Sequence, residues 1–234
     1  MKNAFTLAEV LITLAIIGVV AAMTMPTLIQ NHQKKSLEVA TKKFYSIMSQ
    51  AVRQYMADEG VDDLRNTALA GNNYESYDSP EAVESIRNFM TKYLKIAKEC
   101  DHDANDCFAQ KYKAWNGGEL YGGFPDTSNY YCLRDYVLAD GAIIRIGYCS
   151  TPIDLYVDVN GKKGPNRVGY DLWSMTIFYD GVIDESYVGP EIRKGDEDWS
   201  SPHDIREGRF EACQEGQYGG CFGHFLNNGF KFDY

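Results

Sequence analysis

The chain has 234 residues, with 33 acidic and 23 basic side chains, a formal net charge of −10 and six cysteines. This length fits one domain together with one long helix. The acidic balance argues against a strongly nucleic-acid-binding surface, because such surfaces carry clustered positive charge. The sequence contains no Gly-rich phosphate loop and no recognisable nucleophile motif, so we do not expect an enzyme.

An apolar run covers residues 5–25 and contains a single charged side chain, Glu9. A run of about 20 apolar residues is long enough to cross a bilayer as a helix. A carboxylate near the centre of a membrane helix costs about 2.5–3.5 kcal/mol on insertion scales, which makes Glu9 a functional candidate. A secretory signal would show a small-residue cleavage site after the run, and none precedes Pro26. A plain membrane anchor leaves Glu9 unexplained.

The segment Lys2-Asn3-Ala4-Phe5-Thr6-Leu7-Ala8-Glu9 resembles the processing and N-methylation signal of type IV pilins and type II secretion pseudopilins. The resemblance extends to about Tyr55. It includes Gly18 and Pro26, which fall where many pilins carry helix-loosening residues, and it implies roles in assembly for Glu9, Gly18 and Pro26.

The resemblance also implies how the chain is divided. A leader of residues 1–4 would be cut between Ala4 and Phe5, and Phe5 would then be N-methylated. Residues 5–29 would be the transmembrane and assembly half of the N-terminal helix, and residues 30–234 an exported, pilin-like domain. Lys2 precedes the span, which favours a leader in the cytoplasm and a domain in the periplasm.

The chemistry of Glu9 supports the resemblance. Cleavage would create a positive amine at Phe5, close to Glu9 and in the same apolar surroundings. An isolated carboxylate and an isolated ammonium are each costly in lipid, and pairing relieves both. In a filament, Glu9 can pair with the Phe5 amine of a neighbouring copy and so set the axial register. The alternative is that Glu9 only reaches the headgroups at the membrane surface.

Beyond Pro26 the helix should resume after a bend or loosened turn, because apolar residues recur at helical spacing over residues 36–56. Residues 58–79 are polar and Gly-rich and predict a loop. Ser79-Pro80-Glu81 then has the pattern of a helix start, and the apolar stripe that follows predicts a second helix to about Lys98.

Short β-strand patterns follow. Residues 131–138 and 143–149, joined by Asp140-Gly141, predict a hairpin. Residues 153–159 and 173–179 predict two further strands, and His203-Asp204 predicts a surface turn. The expected fold class is α+β: a long N-terminal helix, half of it membrane-spanning, packed on a small antiparallel sheet with disulfide-tied loops.

All six cysteines lie in the part that would be exported, which favours disulfides over a zinc site. The sequence has no Cys-x-x-Cys, and nearby histidines do not complete a tetrahedral ligand set. Six cysteines allow 15 connectivities. Nearest-neighbour pairing is the simplest hypothesis: Cys100–Cys107, Cys132–Cys149 and Cys213–Cys221.

A second chemical motif, Asp-x-Asn-Gly…Pro-Asn…Gly-x-Asp, covers residues 158–171 and resembles a segment of many pilin-like proteins. Its Asp and Asn oxygens could surround a calcium ion, as in calcium-binding loops. Lys162, Lys163 and Arg167 bring positive charge, and no bidentate Glu follows. A structural turn in which Asp or Asn side chains cap backbone amides is therefore favoured. Calcium stays open as an alternative, with these ligands: Asp158, Asn160, Asn166 and Asp171.

The function that these patterns indicate is a structural subunit of a bacterial type IV pilus or type II secretion pseudopilus. It would be stored in the inner membrane and polymerise through its N-terminal helix after leader cleavage. Its expected partners are copies of itself or other pilin-like subunits, a prepilin peptidase and an inner-membrane assembly platform, with no nucleic acid. The alternative is a monomeric, membrane-tethered module that binds a ligand or calcium outside the cytoplasm.

Overall fold

A computed structural model describes residues 6–70, 79–100, 106–120, 124, 133–147, 152–195 and 200–234. The chain divides into two compact units, Met1–Ser36 and Leu37–Tyr234. The fold is α+β and pilin-like: a long N-terminal helix, α1 (Leu7–Glu59), precedes a six-stranded antiparallel sheet.

The part of α1 in the first unit is apolar, and its side chains are exposed. Leu7, Leu14, Ile17, Met23 and Leu28 each retain between 60% and 77% of their accessible surface. Within the described residues, α1 is the one helix that is long and apolar enough to cross a membrane, by its length and composition. Pro26 lies inside α1, and the helix continues through it to Glu59.

In the second unit, one face of α1 enters the core. Phe44, Met48, Val52 and Tyr55 recur every three or four residues and are buried, which is the pattern of a helix that packs through one stripe. The second helix, α2 (Pro80–Tyr93), adds Ile86, Phe89 and Met90 to the same cluster. Ser79 caps α2, since its side chain accepts a hydrogen bond from the backbone N–H of Ala82.

The sheet is a meander in which each strand pairs with the next along the chain. One sheet face carries Ile144, Ile146, Leu155 and Val157, all buried in the core cluster. The strand bounds are β1 (Ile96–Glu99), β2 (Leu133–Leu138), β3 (Ile143–Gly147), β4 (Ile153–Asp158), β5 (Leu172–Ile177) and β6 (Ile183–Asp184).

The opposite sheet face holds a buried ion pair. Asp135 of β2 and Arg145 of β3 are paired across the two strands, and each side chain is 1% exposed. The guanidinium donates to both carboxylate oxygens, at 2.8 and 2.7 Å. The rings of Phe108 and Phe124 each lie 5.1 Å from the guanidinium carbon. The pair therefore has the bidentate geometry that a desolvated charge pair requires.

Three helices follow the sheet: α3 (Pro190–Lys194), α4 (Pro202–Gln214) and α5 (Cys221–Asn227). A disulfide between Cys213 and Cys221 joins α4 to α5, and a second one joins Cys100 to Cys107. Cys132 and Cys149 lie outside the described residues, so their pairing stays a prediction.

The structure corrects several predicted boundaries. The second helix ends at Tyr93 and not near Lys98, because residues 96–99 pair with β2 as a strand. Two short 3-10 helices, Leu64–Asn66 and Ala68–Ala70, lie within the predicted loop. The strand β6 and the three C-terminal helices were not predicted, and His203-Asp204 lies in the first turn of α4.

The Arg145–Asp135 pair gives a stability prediction. Replacing Arg145 by Met leaves Asp135 buried without its counter-charge, and the free energy of unfolding should fall by about 3–5 kcal/mol. The double variant Arg145→Met/Asp135→Leu should lose much less, because no uncompensated charge is left. Urea unfolding of the purified full chain in detergent measures both values. Equal losses in the two variants would contradict this account of the pair.

Candidate functional site

The first candidate site is the start of α1. Ala4 and Phe5, the predicted cleavage and methylation residues, lie outside the described residues. Thr6 is the N-cap of α1, and Glu9 is the third residue of the helix. The Glu9 carboxylate accepts from the Thr6 backbone N–H and hydroxyl, both at 2.8 Å, and the Glu9 N–H donates to the Thr6 hydroxyl at 3.3 Å. These bonds form a capping box.

The capping box adds a role for Glu9 that the sequence analysis missed. The spacing Thr6-x-x-Glu9 was a visible signal for it, because Ser or Thr followed three residues later by Glu is typical of a helix start. Both bonds from Thr6 go to the same oxygen, Oε2. Within residues 6–70 and the other described ranges, no donor binds the other carboxylate oxygen.

Gly18 lies on the same apolar helix. A side chain there would have no atom of the described chain within 4 Å of its Cβ. The residues that the structure describes therefore do not explain the lack of a side chain at this position. Small residues are enriched where helices approach each other closely in membranes.

The second candidate site is the loop that joins β4 to β5, residues 158–171, called here the 158–171 loop. Asp158 is the last residue of β4, and Asp171 immediately precedes β5. Gly161 and Asn166 have φ values of 71° and 50°, in the left-handed region that Gly and Asn tolerate best. The turn thus brings the two ends of the motif together.

Both carboxylates of the loop are fully buried and accept several hydrogen bonds. Asp158 accepts from the Tyr112 hydroxyl at 2.5 Å and from the backbone N–H of Asn160 at 3.2 Å. Asp171 accepts from the backbone N–H groups of Asn166 and Arg167, at 2.7 and 2.6 Å. These bonds are those of a structural turn in which carboxylates cap backbone amides.

Keeping the Asp158 and Asp171 carboxylates both charged inside the protein is electrostatically unfavourable. Burial, together with the neighbouring Asp171 charge, raises the pKa of Asp158 to about 8. Burial raises the pKa of Asp171 to about 6. Two buried carboxylates this close are stabilised by a proton or by a cation placed between them.

Two amide oxygens of the loop favour a cation between the Asp158 and Asp171 carboxylates. The side-chain amides of Asn160 and Asn166 donate to the carbonyls of Gly164 and Lys162, at 3.2 and 3.5 Å. Their Oδ1 atoms are buried and accept no hydrogen bond from the described residues. Leaving a buried acceptor unsatisfied costs about 1–3 kcal/mol. Carboxylate and amide oxygens are ligands that calcium prefers, so the residues of the loop fit such an ion.

Two of the three basic residues that argued against calcium, Lys162 and Arg167, have other partners. The Lys162 ammonium donates to the backbone carbonyl of Asp106 at 2.7 Å. The Arg167 guanidinium donates to the carbonyl of Trp115 at 2.8 Å and lies 4.3 Å from the ring centre of Tyr170. The charge of both side chains is thus held by groups other than the Asp158 and Asp171 carboxylates.

A further group of possible metal ligands consists of Cys100, Asp106 and Cys107. The two sulfur atoms are bonded to each other in a disulfide, so neither is available as a thiolate. Zinc coordination needs the thiolate form of cysteine. This group therefore does not form a zinc site in the oxidised chain.

Comparisons with known proteins give two family matches. The model described as the prokaryotic N-terminal methylation motif matches residues 1–25. The model described as a family of unknown function (DUF6613) matches residues 27–143, which is half of the chain. Searches of the curated proteins and of the solved structures find no match.

The raised pKa of Asp158 predicts a pH-dependent stability in the presence of a chelator. Its pKa is about 8 in the folded chain and 3.8 in the reference state, so the folded state binds more protons over this range. The free energy of unfolding should therefore decrease as the pH rises, and the Asp158 contribution should level off only above about pH 8.

Asp158→Asn should remove most of the decrease between pH 7 and 8, because this variant cannot titrate. Asp154→Asn is the matched control, since burial raises the pKa of Asp154 only to about 6. Urea unfolding in EDTA over this pH range measures the slope. An unchanged slope in Asp158→Asn, or its loss in Asp154→Asn, would contradict the assignment.

Proposed function

This chain belongs to the family of unknown function DUF6613, and we propose that it is a structural subunit of a bacterial type IV pilus or type II secretion pseudopilus. The observation that carries the proposal is the N-terminal methylation motif at residues 1–25, at the start of a long helix with an apolar first half. Proteins with this signal are pilin-like subunits that a prepilin peptidase processes. No catalytic role is proposed.

The exposed apolar side chains of α1 support polymerisation. In water this surface would aggregate, so it requires lipid or other helices around it. We propose storage in the inner membrane as a single-pass precursor with residues 30–234 in the periplasm. The assembly platform would then move α1 from lipid into a bundle of α1 helices from other copies or other pilin-like subunits.

Glu9, Gly18 and Pro26 have proposed roles in that bundle. Glu9 would pair with the Phe5 amine of a neighbouring copy through the carboxylate oxygen that Thr6 does not occupy. Gly18 would permit close helix contact. Pro26 removes one helical hydrogen bond and so would allow α1 to adjust its curvature in the bundle.

A calcium site in the 158–171 loop is a second proposal, supported by the unsatisfied Oδ1 atoms of Asn160 and Asn166. The ion would neutralise the Asp158 and Asp171 carboxylates and satisfy the two amide oxygens. It would hold the β4–β5 connection in its folded conformation. This proposal fits a filament subunit and also a monomeric, tethered calcium-binding module.

The filament proposal predicts a mature chain that begins at Phe5 and carries one methyl group on its amine. The resembling signal is cut just before an apolar Phe, and Ala4, although it departs from the more common Gly, is a small residue that fits the position before the cut. Intact-mass and amino-terminal analysis of the protein from its native membrane tests this. Two results would contradict this prediction. A chain that keeps Met1 would indicate an ordinary membrane anchor, and one that begins beyond Met25 would indicate a cleaved secretory signal.

The calcium proposal predicts that, at pH 8, saturating calcium raises the melting temperature of the full chain in detergent relative to EDTA. A ligand at about 100 times its Kd should give a shift of about 5–10 °C for a domain of this size. Asp158→Asn should lose the shift, while Asp154→Asn should keep it. Equal melting temperatures with calcium and with EDTA in the unaltered chain would overturn the proposal.

A further inference from the structure

The exposed side of α1 in the second unit carries a basic stripe, defined here as Lys42, Ser46 and Arg53. The spacing of four and seven residues places the three side chains on one face of the helix. All three are exposed. The Lys42 ammonium lies 5.9 Å from the ring centre of Phe230. Arg53 forms no ion pair or hydrogen bond with any residue that the structure describes.

The exposed side of α4 and its C-cap residue Glu215 carry an acidic stripe, defined here as Asp204, Gly208, Glu211 and Glu215. All four are exposed, and their spacing again places them on one helix face. Asp204 caps the start of α4 together with Ser201. Glu211 and Glu215 have no hydrogen bond or ion pair from side chains in the described ranges. The position of Gly208 is open, with no atom within 4 Å of where a Cβ would lie.

The two stripes match in length and are opposite in charge. Lys42 and Arg53 are eleven residues apart, as are Asp204 and Glu215, which corresponds to about 16 Å along a helix. In an antiparallel contact Lys42 faces Glu215, Arg53 faces Asp204, and the small residues Ser46 and Gly208 lie between the charges. Two such faces can approach closely without displacing a large side chain, and their charges can then pair along the whole length.

Within one copy the two stripes do not pair. No ion pair links them among the described residues, whereas the neighbouring Lys43 is bound to Asp140 at 2.7 Å. An exposed basic stripe and an exposed acidic stripe at different places on one chain suit a head-to-tail contact between copies. Contacts of this kind do not pair two copies symmetrically, and they build helical filaments when the rotation between copies does not close a ring.

We propose that the basic stripe of one copy docks on the acidic stripe of α4 of a neighbouring copy. This inference rests on the proposed filament function and adds a second contact to the one made by the apolar helix. Exposed ion pairs contribute only about 0–1 kcal/mol each, so the stripes do not drive assembly. Complementary charge selects the orientation of the partners and raises the rate of productive encounter.

Charge reversal tests the contact in the native host, with each variant as the sole copy of the subunit. Lys42→Glu/Arg53→Glu and Glu211→Arg/Glu215→Arg should each lower the yield of sheared filaments by about tenfold, because like charges then face each other. The four substitutions combined restore opposite charges between position 42 and positions 211 and 215, leave Asp204 near the new Glu at position 53, and should recover part of the yield. Lys111→Glu/Lys194→Glu, at two exposed lysines off the stripe, matches the charge change of the first variant and should assemble normally.

The result that overturns the inference is equal yield in the two stripe variants and the lysine control, or no recovery in the combined variant. Membrane level and disulfide formation, measured in every variant, separate an assembly defect from misfolding. If the unaltered subunit forms no filaments, the proposed function fails instead. Carbodiimide crosslinking of the purified full chain then decides the contact: a link between Lys42 and Glu211 or Glu215 of two isotope-distinguished copies supports it, and its absence overturns it.

Discussion

The structure depends on one constraint: the first half of α1 is apolar, exposed and interrupted by a carboxylate. The exposed apolar residues of Leu7–Ile29 find no cover within the described chain. Glu9 closes a capping box with Thr6, which satisfies backbone donors that the first turn of a helix otherwise leaves unpaired. The cap explains how the helix can begin in an apolar environment. Among the described residues, no cation forms an ion pair with the Glu9 carboxylate.

The second unit has its own packed core. Its part of α1 packs one face into the sheet core, while the C-terminal residues fasten the 158–171 loop to the helix. The Phe232 N–H donates to Glu38 of α1 at 2.8 Å, and the Tyr234 hydroxyl donates to the Gly169 carbonyl at 2.6 Å. The Phe232 ring stacks on Tyr170 with centres 5.6 Å apart. The C-terminal residues therefore contact both the 158–171 loop and α1.

Much of the fold could be predicted from the sequence, because local signals coincide with the structure there. Ser79-Pro80 began α2 as expected, and the Asp140-Gly141 turn joined β2 to β3. The strand at residues 96–99 could not be predicted from local pattern, since its pairing with β2 is a tertiary contact that overrides helical periodicity. Ser201-Pro202 has the same helix-start pattern as Ser79-Pro80. The sequence did not predict α4 because no strong apolar stripe follows this start.

The candidate site was predictable only in part. The residue types and spacing of the loop predicted four possible calcium ligands: Asp158, Asn160, Asn166 and Asp171. They could not show that Tyr112, 46 residues away, donates to Asp158, or that Lys162 and Arg167 are bound to carbonyls elsewhere. Those contacts depend on how distant segments pack. They also show that two of the three basic side chains of the loop are bound to carbonyls outside it.

The central claim is that the charge of Glu9 serves assembly, and Glu9→Gln tests it most directly. Gln can keep the capping box with Thr6, so only the charge is removed. Expressed as the sole copy, this subunit should enter the membrane, fold its domain and be processed as usual. Its filament yield, measured by shearing and electron microscopy with the subunit labelled, should fall sharply, because the Phe5 ammonium of a neighbour then lacks a counter-charge. Filaments at the yield and length of the unaltered subunit would contradict the claim.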